Sequence, residues 1–378
     1  MTSRWRDLVT VRQQSFLADG RELFYFDAEP GQDRSAPDLR TDLPATSTTS
    51  QVRWDPLFHT HTVIAEYRQT RTYRPPADLC PLCPSHEGKN TEIPAADYEV
   101  VVFENRFPSF SLQAGETVPQ VNDPPFWSAP GTGRCEVVCF TPQHDGSFSS
   151  LTPRHARTVI DAWADRTVEL SAHESIAYVF CFENRGEEIG VTLTHPHGQI
   201  YGYPFVPPRF FHAAQTVRRY RERTGACLQC TLLRAELEAG KRIVAMSDLW
   251  VAYVPFAARW PYEVRVVPQA HLPDLPALDD AHRDDLARIY LDVLRRFDQL
   301  FGTGVPGTPK TPYIAGWQQA PVHLDRDDWH LAAEILTIRR APGKLKYLAG
   351  SESGAGVWIN DVTPEAAAAR LRGDDSVR

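Results

Sequence analysis

Apolar and polar positions first settle into strand-like runs at Tyr98, in YEVVVFEN, and again in GRCEVVCFTP and SIAYVFCFEN. Between the second and third runs lies PRHARTVIDAWADRTVEL, where the spacing changes to that of a helix and Val159 and Trp163 stand four apart. Thr152 is placed to cap that helix and Pro153 to open its first turn. After a charged stretch near residues 216–224 the same grammar restarts. RIVAMSDLWVAYVPF and YEVRVVP predict strands. LDDAHRDDLARIYLDVLRRFDQLF predicts an amphipathic helix, with Leu286, Ile289, Tyr290, Leu294 and Phe297 along one stripe. YIAGW and AEILTIRR then close the unit as strands. Residues 27–52, rich in Pro, Ser, Thr and Asp, predict an irregular stretch.

The restart marks an internal repeat. It divides the chain into a partly irregular amino-terminal arm (residues 1–52), an amino-terminal half (53–210) and a carboxy-terminal half (211–378). The fold class expected is α+β: a duplicated unit, each copy an antiparallel sheet with a helix packed on it. With 42% hydrophobic and 11% aromatic residues in 378, the core can be large. A net charge of −8 without basic–aromatic interleaving argues against nucleic-acid binding, including by zinc fingers. No apolar run approaches the roughly 18 residues of a membrane span, and the amino terminus lacks the apolar core of a secretory signal. The expectation is a cytoplasmic protein without membrane or nucleic-acid partners.

Seven cysteines and thirteen histidines change this picture. Cys135, Cys139 and Cys181 lie in apolar runs and read as small buried hydrophobes. The other four form two C-x-x-C pairs, Cys80/Cys83 and Cys227/Cys230. Such a pair brings two thiolates to one ion, although redox chemistry uses the same spacing. Each pair is followed by two histidines in parallel contexts: His144 and His195 in the first half, His271 and His330 in the second. Two quartets in one order predict two structural zinc sites, Cys80–Cys83–His144–His195 and Cys227–Cys230–His271–His330. Four protein ligands leave no open position for a metal-activated water. His59, His61, His86 and His155 are read as solvated surface residues.

His195, His197 and Gln199 alternate along one predicted strand and so share a face. With His195 on the metal, His197 is spare, and a spare imidazole on a fixed backbone suits nucleophilic catalysis. Gln199 can donate its amide to a developing phosphoryl charge. Gly198 is read as clearing space for a substrate's phosphates. A second metal ligand or a buried polar residue is the plainer reading of an isolated H-x-H. In the second half Ala332 stands where His197 does in the first, so that half is read as catalytically degenerate.

At these residues the chain resembles the galactose-1-phosphate uridylyltransferase family of the histidine-triad-like superfamily. The likeness runs from about Arg53 to Arg372 through VFENRFPSF, FENRGEEIGVTLTHPHGQIY, WPYEVRVVPQAH and SESGAGVWINDVTPEAAAARLR. It implies a ping-pong transfer of UMP in galactose metabolism. His197 attacks UDP-glucose, releases glucose 1-phosphate and becomes uridylylated; galactose 1-phosphate then leaves as UDP-galactose. It implies that Gln199 stabilises the intermediate, that Asn184 and Thr192 contact phosphate, and that Asn105 contacts the nucleoside. It further implies a homodimer, in which Arg68 and Arg71 reach the partner's active site while Lys346, Tyr347 and Glu352 recognise the sugar. Two departures stand out. Gln318, Ala332 and Glu334 cannot rebuild the second, glutamate-and-histidine metal site of the best-known members, which points to the subgroup with a C-x-x-C in each half. That subgroup also contains ADP-glucose phosphorylases, so adenylyl transfer is the rival activity. Ser351 stands where an aromatic residue is common in the sugar-contacting tail. A catalytically silent nucleotide-binding zinc protein is the remaining alternative.

Overall fold

A computed structural model of the chain describes residues 10–41, 43, 46, 49–70, 74–114, 118, 120–302 and 310–374. Strands β1 (Val11–Phe16) and β2 (Glu22–Asp27) form a hairpin, followed by β3 (Gln51–Asp55) and β4 (Thr60–Ile64). Next come β5 (Val100–Glu104), β6 (Val121–Asp123), β7 (Phe126–Pro130) and β8 (Arg134–Cys139). Helix α1 (Pro153–Ser171) precedes β9 (Tyr178–Arg185) and β10 (His197–Tyr203). Helices α2 (Pro208–Thr224) and α3 (Leu228–Ala239) lead to β11 (Ile243–Met246), β12 (Trp250–Tyr253) and β13 (Tyr262–Pro268). Helix α4 (Asp280–Gln299), β14 (Tyr313–Gln318), β15 (Ala332–Thr337) and helix α5 (Pro364–Arg372) complete the described elements used below.

Eleven of these strands make one antiparallel sheet, in the order β1-β2-β5-β8-β10-β9-β14-β15-β13-β12-β11. Read outward from its middle, the sheet shows the duplication directly. β9, β10, β8 and β5 on one side match β14, β15, β13 and β12 on the other, and α1 and α4 occupy the same place in each chain order. The halves are joined by backbone pairing, Ile314 with Asn184 and Gly316 with Phe182. In each half the last strand inserts beside the third-last, so β10 pairs with β8 and β15 with β13.

The cap read from the sequence forms, with Thr152 accepting from the His155 N–H. Asp279, one residue before α4, does the same for the second long helix by accepting from the His282 N–H. Val159, Ile160 and Trp163 of α1 and Leu286, Ile289, Leu294 and Phe297 of α4 bury against one face of the sheet. Val102, Val138, Ile200, Val264 and Ile335 supply the sheet's side of that core. At roughly 1.5–3 kcal/mol for each fully buried large side chain, this layer dominates the stabilisation. The opposite face of the sheet is left for chemistry.

Three features differ from the sequence reading. The strands begin well before Tyr98: β1 and β2 extend the main sheet, and Phe24 and Phe26 lie in its core. The charged stretch near 216–224 is helical, the end of α2, of which only Phe210 and Val217 are buried. Few apolar contacts mean a weak stripe, which is why composition concealed the helix. His61 is not a solvated surface residue. Its ring stacks on Phe205 at 4.1 Å and tilts against Trp54 at 4.7 Å, and burial lowers its pKa. His59 and His86 are exposed as expected, whereas His155 is half-buried with Nε2 2.9 Å from the Glu99 carbonyl. Cys135, Cys139 and Cys181 are buried as expected.

Candidate active site and metal centres

The first C-x-x-C lies in the loop after a short 3-10 turn at Ala77–Leu79. The second opens α3, where Cys227 Sγ accepts from the Cys230 N–H at 3.5 Å. In each half one histidine comes from just beyond the third-last strand and one from just before the last. The four ligand atoms of each quartet lie within 4.8 Å of one another. Cys83 Sγ is 3.4 Å from His144 Nδ1 and 3.5 Å from His195 Nδ1; Cys230 Sγ is 3.3 Å from His271 Nδ1 and 3.2 Å from His330 Nδ1. A tetrahedral ion bound by sulfur at about 2.3 Å and nitrogen at about 2.0 Å separates its ligands by about 3.5 Å, close to these values. All four imidazoles turn Nδ1 inward, and their Nε2 atoms have partners outside the site. His195 Nε2 donates to Thr141 O at 2.8 Å, His330 Nε2 to Pro268 O at 2.9 Å and His271 Nε2 to Asp327 O at 2.9 Å, while His144 Nε2 is 3.2 Å from Thr194 Oγ1. Those bonds fix the tautomer that leaves Nδ1 free to bind metal. Burial and the adjacent Cys80 push Cys83 up to about 11, and burial and Cys227 push Cys230 up to about 12. A divalent ion is the natural means of holding both sulfurs ionised. Each quartet can therefore hold one metal.

His195 sits just outside β10, which begins at His197. His197, Gln199, Tyr201 and Tyr203 then face one side of the strand, and Gly198, Ile200 and Gly202 face the helices. His197 Nδ1 donates to the His195 carbonyl at 2.7 Å, so the Nε2 lone pair is the one left to the pocket. Burial lowers the His197 pKa, which keeps the imidazole neutral and nucleophilic. The pocket has a volume of about 160 Å³. Leu82, Phe103 and Val137 form its apolar side; Asn105, Thr192 and Gln199 bring polar groups to it. Arg68 and Arg106 add positive charge, so this face attracts phosphate although the chain as a whole is acidic. Gly198 plays a different part from the one read in the sequence. A Cβ there would lie 2.7 Å from the Phe140 ring and 2.8 Å from the Phe182 carbonyl. The glycine makes room for the core beneath the site and not for the substrate above it.

The family descriptions for the galactose-1-phosphate uridyl transferase N-terminal and C-terminal domains match residues 45–207 and 213–377. The chain belongs to the galactose-1-phosphate uridyl transferase family. A galactose-1-phosphate uridylyltransferase of Streptomyces lividans is 46% identical over 370 residues, spanning 94% of this chain and 96% of its own. That of Thermotoga maritima is 33% identical over 327 residues, 85% of this chain and 98% of its own. A solved uridylyltransferase structure superposes with a TM-score of 0.74 at 32% identity, covering 85% of this chain and 97% of that one. An ADP-glucose phosphorylase from Arabidopsis thaliana shares the fold, with a TM-score of 0.64, 24% identity and coverage of 87% and 99%.

Within this family member, Arg68, Asn105, Thr192, His197 and Gln199 line one pocket. Asn184 sits beside them on β9, next to Glu183, which pairs with Gly198. Arg68 lies at its own chain's pocket. The 3-10 turn Glu66–Thr70 lies on the Phe107–Pro108 segment, Arg68 donates to the Phe107 carbonyl, and the guanidinium faces its own chain's pocket. Arg71 lies outside the described residues. Lys346 and Glu352 bind each other at 2.7 Å, and Tyr347 is 75% exposed; none of the three lines the His197 pocket. Two charged lining residues escaped the sequence reading. Arg106 directly follows Asn105 in FENRF, a signal that could have been followed. Glu92 had none, because it is held by Arg21 at 2.5 Å and Arg40 at 2.7 Å, both distant in sequence. Among the described residues no helix is long and apolar enough to cross a membrane.

Proposed function

We propose that this protein transfers UMP from UDP-glucose to galactose 1-phosphate through a uridylyl-histidine. The observation that carries the reading is the His197 imidazole, with Nδ1 engaged by the His195 carbonyl and Nε2 open to a pocket lined by arginines. The Nε2 lone pair attacks the α-phosphorus; the N–P bond forms, and the bond to the glucose 1-phosphate oxygen breaks with its electron pair on the leaving group. A phosphate oxygen of galactose 1-phosphate then attacks the same phosphorus, the P–N bond breaks, and the lone pair returns to Nε2. The Gln199 amide donates to the non-bridging oxygen at which charge grows. Thr192 and Asn184 orient the phosphates, Asn105 the nucleoside, and Arg68 with Arg71 balances the pyrophosphate charge. The Lys346–Tyr347–Glu352 segment serves the sugar of a partner's site in a homodimer. The names of the relatives support this activity and these substrates.

Zinc is the ion that best suits both quartets: two thiolates and two imidazoles in a tetrahedron, with no open position and hence a structural role. The cytoplasm is the setting that keeps such thiolates reduced.

Uracil-labelled UDP-glucose and adenine-labelled ADP-glucose test the reading side by side. The uracil donor is expected to leave an acid-labile, base-stable label on the protein, absent in His197→Ala. Labelling by the adenine donor alone overturns uridylyl transfer in favour of adenylyl transfer; labelling by neither overturns nucleotidyl transfer.

A further inference from the structure

Gln199 can stabilise charge on phosphorus only if its amide nitrogen, and not its oxygen, points at the reacting atoms. On one strand, two residues beyond it and on the same face, stands Tyr201, whose hydroxyl lies 3.0 Å from Gln199 Oε1. Tyr201 is not a lining residue of the pocket; it lies behind Gln199. Its ring is wedged edge-on against Phe182 at 5.1 Å and Phe110 at 6.3 Å, which fixes where the oxygen sits. Arg68 and Ser109 lie near that oxygen and act to lower its pKa.

A guanidinium only donates, so the nearby Arg68 cannot take the phenol's proton. The proton goes to Gln199 Oε1, 3.0 Å away. With its oxygen held there, Gln199 has only its NH2 group to present to the pocket. The reverse amide orientation would set the amide oxygen against the pocket's phosphate and give up the phenol's bond to Oε1.

We infer that Tyr201 is a positioning residue, which locks the Gln199 amide so that its nitrogen faces the phosphorus attacked by His197. The inference rests on the uridylyl-transfer reading and adds a relay to it: the phenol secures the amide, and the amide meets the transition state. Burial keeps the phenol protonated, pushing its pKa above the ordinary tyrosine range, so the proton is present at every pH at which the enzyme works.

The test is the rate of uracil labelling by UDP-glucose in Tyr201→Phe, Gln199→Ala and the double variant. Wild-type labelling comes first, since its absence would refute the uridylyl reading and not this one. Tyr201→Phe is expected to slow labelling about 10-fold with little change in the UDP-glucose concentration for half-saturation. Gln199→Ala is expected to slow it about 100-fold. The decisive result is the double variant: if Tyr201 acts through Gln199, adding Tyr201→Phe to Gln199→Ala changes nothing further. Multiplicative losses, or a wild-type rate in Tyr201→Phe, overturn the inference. Difluorotyrosine at position 201 preserves shape and folding while making the phenol ionise more readily. Its labelling rate is expected to fall at high pH, where a phenolate cannot donate, and the wild-type rate to stay level. Arg68, Cys135 and, on the same strand, Tyr203 are the charged or titratable groups near that phenol, and all are common to the two proteins. Matching pH profiles overturn the inference.

Discussion

The two halves of the sheet hold the same metal quartet at nearly the same distances, yet only one of them opens into a pocket. In the first half, β10 begins at His197 and the space before it measures about 160 Å³. In the second, β15 begins at Ala332, and the corresponding space, walled by Leu233, Tyr253, Val267 and Arg265, measures about 10 Å³. Two residues along, Gln199 is answered by Glu334. Burial acts to raise the Glu334 pKa, but Arg209, Arg259 and Arg265 overcome it and hold the carboxylate at about 2. Arg209 grips it with two bonds, 2.9 and 2.6 Å, and the Gln318 amide adds a third at 2.9 Å. The position that the proposed mechanism needs free to meet a reacting phosphate in one half is tied into an ion network in the other. On that reading the quartet persists without the chemistry, and its common task is to hold the turn before the last strand.

The sharpest way to break the comparison is to exchange the first residues of the two strands. His197→Ala is expected to reduce labelling by on the order of 10⁴-fold or more, the scale of losing a nucleophile. Ala332→His should restore nothing in that background, because no cavity or free amide awaits it. A labelled adduct on the imidazole introduced at position 332 would show that the second half is degenerate in one residue only.

Next in size are the metal sites. Cys83→Ser and Cys230→Ser are each expected to remove one bound metal of two by elemental analysis and to lower the melting temperature. They differ in activity. Cys83→Ser loosens His195, whose carbonyl sets the His197 tautomer, and should slow labelling by about 10–100-fold. Cys230→Ser should leave the labelling rate of folded protein within about twofold.

A smaller effect tests the ion network. Glu334→Ala removes the buried carboxylate that Arg209, Arg259 and Arg265 converge on and, because those arginines keep access to water, should cost about 1–3 kcal/mol in denaturant unfolding while sparing the labelling rate. Because the folded-state pKa of Glu334 lies below its ordinary 4.5, its contribution is fully present above about pH 4.5 and is lost as pH falls towards 2. Melting curves of wild type and Glu334→Gln should therefore converge on acidification.

The smallest effect has the opposite sign and lies in the first half. Burial raises Glu183 from 4.5 to about 7, against the pull of Arg185 and the Tyr313 hydroxyl that donates to it at 2.8 Å. The folded state binds a proton that the unfolded state has released, so stability falls as pH rises from 4.5 to 7. Glu183→Gln should flatten melting temperature against pH across that window; an unchanged slope would show that Glu183 is not its source.

The parts of this architecture that were legible in the sequence have short-range causes. Thr152 announces a helix by capping it, and a C-x-x-C announces a ligand pair by its loop length. The duplication was readable because each half repeats cysteine pair, strands, helix and histidine in one order. What could not be read depends on chain segments that meet only in three dimensions. Glu92 enters the pocket through Arg21 and Arg40, His61 is half-buried against Phe205 and Trp54, and Gly198 is required by the Phe140 ring. Helix α2 hides because most of its surface remains in water, so its residues carry little periodicity.

The seam between β9 and β14 bears on traffic through the site. Backbone hydrogen bonds run unbroken from one half into the other, with Asn184, one strand away from His197, paired across the seam to Ile314. Parting the halves would mean tearing out a central rung of an eleven-stranded sheet, so they cannot swing apart as jaws to admit a second substrate. On the uridylyl-transfer reading, the two sugar phosphates therefore meet His197 in turn at a pocket that lies wholly within the first half.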